Sequence, residues 1–99
     1  MSYPENTDEH FYERADSFIH LANEHCDNTP RDEVSASFMY GLSRFNAWVS
    51  ARGFESVEEM RQSRQEVVEY FVAEYKAMLE ENLQDYIDNY SRYMPSPEV

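Results

Sequence analysis

Cysteine, glycine and positive charge are all scarce in this chain of 99 residues, which has one Cys, two Gly and eight Lys or Arg. A lone cysteine, Cys26, cannot close an intrachain disulfide, so packing must hold the fold rather than the bridges on which small secreted domains rely. Two glycines, Gly41 and Gly53, leave no material for a glycine-rich phosphate loop, and Gly-x-Ser-x-Gly, His-Glu-x-x-His and Cys-x-x-Cys are missing as well. The chain is therefore expected not to be an enzyme, with no catalytic residue and no cofactor. Its eight cations face twenty Asp and Glu, for a formal net charge of -12. That balance repels nucleic-acid phosphates and anionic lipid headgroups, which argues against direct nucleic-acid binding and against a membrane partner. No stretch approaches the roughly 20 uncharged residues of a membrane span. Met1 to Glu9 has neither the basic nor the apolar region of a secretory signal, so the expected location is the cytoplasm.

What is present is apolar and aromatic material, 41% and 15% of the residues, enough to oppose disorder. Spacing and punctuation predict an all-α fold in one domain over residues 1–99: an antiparallel three-helix arrangement with a long C-terminal third helix and frayed tails at 1–7 and 94–99. Helix one is expected over 8–27, with Thr7 as N-cap. Its stripe of Phe11, Tyr12, Ala15, Phe18, Ile19, Ala22 and Cys26 lies opposite a polar face of Glu13, Asp16, His20 and Glu24. Helix two is expected over 31–52, with Thr29 as N-cap, Pro30 at the first helical position and Asp32 completing a relative of the capping box. It is apolar on several sides. Gly41 in its middle costs about 1 kcal/mol against alanine, so a close helix crossing is the expected compensation, and Gly53 ends the helix.

Ser56 and Glu59 form a capping box, and no Gly or Pro follows until Pro95. Helix three is thus expected over 57–93, with a break near Glu80 to Asn82 into a fourth helix as the alternative. Its stripe runs Val68, Val72, Tyr75, Leu79, Leu83, Tyr86, Tyr90 and Tyr93. At 1.5 Å per residue such a helix spans about 55 Å, against roughly 30 Å for each of the others, so its end should overshoot them.

Three blocks carry a family likeness: Phe11-Tyr12-Glu13-Arg14-Ala15-Asp16 with Leu21-Ala22-Asn23-Glu24; Val34-Ser35-Ala36-Ser37-Phe38 with Arg44-Phe45-Asn46-Ala47; and Tyr70-Phe71-Val72 with Met78 to Ile87. Over roughly residues 9 to 93 the chain resembles a small proteobacterial all-helical family known as a domain of unknown function. The resemblance implies a short helical bacterial protein and brings no activity, cofactor or catalytic residue.

Three constellations remain as candidate sites. Asp16, His20 and Glu24 follow one another at steps of four on helix one, with residue types that suit zinc or iron; the competing reading is a solvated acidic face. Arg44 interrupts apolar helix two, where it can hold an anionic ligand or pair with a carboxylate. Cys26 and His25 are adjacent, so they point about 100 degrees apart on a helix, and Cys26 is expected in the core. The third constellation is the overshooting face of Leu83, Tyr86, Ile87, Tyr90 and Tyr93, large enough to call for a cover. The leading expectation is accordingly a protein–protein interaction module, a homodimer or one bound to an unidentified protein partner. The alternative is a metal- or small-ligand-binding protein using Asp16, His20 and Glu24 or the Arg44 pocket.

Overall fold

The computed structural model describes residues 7–95, and every regular element among them is an α-helix, so the fold is all-α as the periodicity predicts. Of the expected tails at 1–7 and 94–99, residues 1–6 and 96–99 lie outside the described residues. Packing divides the chain into two compact units, the first ending at Gln62 and the second beginning at Ser63.

The first unit is a helical hairpin, α1 (Phe11–His25) and α2 (Arg31–Arg52), followed by a short α3 (Val57–Gln62). Helix α1 begins at Phe11 with His10, not Thr7, as its N-cap, because Asp8 organises a turn just before it. Asp8 Oδ1 accepts the His10 N–H at 2.9 Å, and the Asp8 carbonyl accepts the Phe11 N–H at 3.1 Å. The Arg14 guanidinium returns to the same carboxylate at 2.6 Å, and this bond, with that from the His10 N–H, holds the Asp8 carboxyl below the usual range. At the other end the bonds tighten to three-residue steps, Asp27 N–H to the Glu24 carbonyl and Asn28 N–H to that of His25, and the helix stops before Pro30.

The cap of α2 corrects the sequence reading. Pro30, extended at φ -56° and ψ 144°, is itself the N-cap, and its carbonyl accepts from the Glu33 and Val34 N–H groups. Thr29 instead directs its hydroxyl to Asn28 Oδ1 at 3.3 Å. The fixed φ of proline already suits the half-in position, and Asp32 and Glu33 offset the positive helix end. Gly53 does end α2, in the right-handed region at φ -85°. The capping box of α3 forms as expected on one side: the Glu59 N–H donates to Ser56 Oγ at 3.1 Å, while the Glu59 carboxylate accepts from the Glu55 N–H at 3.3 Å.

The second unit holds α4 (Arg64–Asp88) and the single turn α5 (Tyr90–Tyr93). The helix expected over 57–93 is therefore three helices. It leaves helical geometry at Ser63 (φ -95°, ψ 1°) and at Asn89 (φ -122°, ψ 31°), and it runs unbroken through Glu80 to Asn82. At Asn89 the Asp85 carbonyl accepts both the backbone N–H at 3.0 Å and the side-chain amide at 3.1 Å, and that amide also reaches Asp85 Oδ1 at 2.9 Å. Asn82 makes a bond of the same span, to the Met78 carbonyl, and α4 continues through it, so what sets Asn89 apart is its additional bond to the Asp85 carboxylate.

Among the described residues Val34 alone is buried, at 8% exposure. Phe11, Ala15, Ala22 and Cys26 of the expected α1 stripe are half-buried, whereas Tyr12, Phe18 and Ile19 are exposed. Cys26 is thus a partly covered packing residue rather than a core one. Ser56→Ala is expected to lower stability by about 1 kcal/mol through loss of the α3 cap, and Thr29→Ala to leave it within about 0.5 kcal/mol. Urea denaturation of the two variants checks the contrast, and the opposite order contradicts the capping assignment.

Candidate interaction surface

The turn at Asn89 folds the last helical turn back onto α4. Tyr93 stacks on Tyr86 with ring centroids 4.7 Å apart and planes tilted by 39°, and its hydroxyl donates to Asp85 Oδ2 at 3.0 Å. That bond raises the Tyr93 phenol above the ordinary tyrosine range, because ionisation would set a second anion against the Asp85 carboxylate. Asp85 therefore fastens both Asn89 and Tyr93. The neighbours of this clasp stand in solvent: Leu83 is 54% exposed, Ile87 68% and Tyr90 66%. The face continues along α4 through the exposed Val68, Val72, Tyr75 and Leu79. Its C-terminal end, Leu79 to Asp88, carries Glu80, Glu81, Asp85 and Asp88 and no cation.

A second apolar surface lies wholly within the hairpin. An open groove of about 710 Å³ runs between α1 and α2, its walls supplied chiefly by Phe18, Leu21, Phe38, Leu42 and Phe45. Gly41 faces it, and a Cβ built there would meet nothing among the described residues within 4 Å. The close crossing expected at Gly41 is not made within the hairpin. Helix periodicity had assigned Phe18 to a core, because a stripe shows which face is apolar without showing whether a neighbour covers it. One readable signal was missed: α2 from Val34 to Arg52 contains no Asp or Glu at all, in a chain of net charge -12.

The remaining candidates separate. His20 Nε2 lies 3.3 Å from Glu24 Oε1 on an exposed face, but Asp16 does not join them, and no three His, Cys, Asp or Glu side chains gather as metal ligands among the described residues. His10 sits between Glu9 and Glu13 at 3.2 and 3.1 Å. Arg44 stacks on its own helix, its guanidinium 5.0 Å above the Tyr40 ring with Nη2 3.3 Å from the Tyr40 hydroxyl, and it forms no ion pair among the described residues. Arg52 covers Trp48 in the same way at 5.2 Å. Both arginines stack on an aromatic one turn back because helix spacing brings that ring within reach, whereas no acid occurs near them in α2. No helix among the described residues is long and apolar enough to cross a membrane.

Among the described residues the fold is all-helical, with two exposed apolar surfaces and no cluster of metal-ligating side chains. Residues 11–87 match the family described as protein of unknown function (DUF3144), and the chain belongs to that family. An NMR structure of a protein from Shewanella sp. is similar to it, at 42% sequence identity and a TM-score of 0.76, covering 95% of this chain and 100% of that one. No curated protein gives a significant match. The likeness extends to the fold and assigns no chemistry.

The clasp generates one direct test. In NMR titration of ring-labelled tyrosines, Tyr93 is expected to ionise above the ordinary range and to move back toward it in Asp85→Asn. An unchanged Tyr93 midpoint in that variant contradicts the Asp85 assignment.

Proposed function

We propose that this protein is a cytoplasmic, non-enzymatic homodimerisation module that acts through Leu83, Tyr86, Ile87, Tyr90 and Tyr93. The observation that carries the reading is the exposure of Leu83, Ile87 and Tyr90 beside a tyrosine pair whose geometry is already fixed. A contiguous apolar patch of several hundred Å² is more than a soluble monomer ordinarily leaves in water. Tyrosines suit such a surface because their rings bury area while their hydroxyls stay hydrated or bonded, as that of Tyr93 is to Asp85. Fixing Tyr86 and Tyr93 beforehand also lowers the entropy lost when a partner arrives.

Light scattering of the purified protein is expected to give the mass of a dimer. Tyr86→Glu combined with Tyr90→Glu is expected to give a monomer with its helical circular dichroism retained. A wild type that is monomeric at its highest soluble concentration contradicts homodimerisation.

A further inference from the structure

Self-association of a chain with net charge -12 meets its own repulsion, so the surface that receives a second copy should be one from which acids are missing. Within the hairpin that surface is α2. Its segment Val34–Arg52 carries Arg44 and Arg52 and no acid, and it forms one wall of the open groove. Both guanidiniums lie over aromatic rings of their own helix, and no carboxylate among the described residues is within ion-pair reach of either. The end of α4 has the opposite character: Leu79 and Leu83 sit among Glu80, Glu81, Asp85 and Asp88, with no cation between Leu79 and Asp88.

We propose that the C-terminal end of α4 from a second copy docks in the α1–α2 groove, crossing α2 at Gly41 and presenting its carboxylates to Arg44 and Arg52. The proposal rests on the homodimer reading above and adds the receiving surface. Three independent features agree on it. Charge is complementary only in this pairing, since the α4 end against its own symmetry mate would oppose four acids to four. Gly41 accepts the close approach of a helix backbone, which accounts for a residue that weakens α2 and meets nothing within 4 Å. Area is sufficient as well. Large side chains at about half exposure offer on the order of 100 Å² each, so groove and ridge together bring each copy to roughly the 800 Å² per partner of a standard interface.

The test uses the full chain in sedimentation equilibrium. Arg44→Glu with Arg52→Glu is expected to raise the dimer Kd at least tenfold, as is Glu80→Arg with Glu81→Arg. An equimolar mixture of the two variants is expected to recover a heterodimer, because each restores the charge pairing the other has lost. Gly41→Leu, which removes a helix-weakening glycine and fills open space in an isolated hairpin, is expected to raise the thermal midpoint of the monomer while blocking the dimer. If the wild type is a dimer and these variants retain its Kd, the groove is not the receptor, although the Tyr86 and Tyr90 face can still be the interface. Dimeric single variants whose mixture gains no heterodimer overturn the pairing too, and a monomeric wild type overturns both readings.

Discussion

Burial of apolar surface is the favourable term against which a chain of this length sets the ordering of its backbone. Here the supply of apolar side chains and the shelter given to them are far apart. The sequence contains fourteen Phe and Tyr residues and one Trp, yet among the described residues only Val34 is buried. Hydrogen bonds along the helices cannot make up the difference, because each exchanges a bond to water for one within the chain. Surface ion pairs such as Arg14 to Asp8 add little in high dielectric. Everything proposed about this protein follows from that imbalance, since apolar side chains in such number favour any arrangement that removes them from water.

Several specific polar interactions gather at helix ends. Asp8 orders the turn before α1 and holds Arg14; Ser56 and Glu59 cap α3; Asp85 receives Asn89 and Tyr93. The last of these has the clearest consequence for function. By ending α4 at Asn89, the chain turns Tyr93 onto Tyr86 and produces a fixed aromatic pair where a straight helix would have left separate rings. Charge is distributed with the same economy. The acids crowd the end of α4 and are absent from α2 after Glu33, an asymmetry that net charge alone conceals.

Much of this was legible in the residues. The all-α class, the start of α2 near Pro30 and its end at Gly53, the box at Ser56 and Glu59, and the apolar face around Tyr86 and Tyr90 all follow from period and punctuation, because they are local properties. The interruptions at Ser63 and Asn89 were not legible. Neither is Gly or Pro, and the Asn89 amide differs from that of Asn82 only in its second bond, to the Asp85 carboxylate, which residue type alone does not announce. The fate of Arg44 was hidden for a similar reason: which partner a guanidinium takes depends on geometry, and the nearest favourable one was the Tyr40 ring. Of the candidate sites, the spacing of Asp16, His20 and Glu24 places them on one exposed face, where His20 and Glu24 meet and, among the described residues, no third ligand joins them, since steps of four align side chains without converging three of them on a point. The groove stayed invisible because a periodic pattern marks a face as apolar whether or not anything packs on it.

The central claim is that shelter for these side chains comes from a second copy, and the most direct measurement is the thermal midpoint as a function of protein concentration, followed by circular dichroism. If folding and association are coupled, the midpoint rises steadily as the chain is concentrated over a hundredfold range. A midpoint that stays constant across that range contradicts the account, because a fold completed within one chain has no dependence on the number of its neighbours.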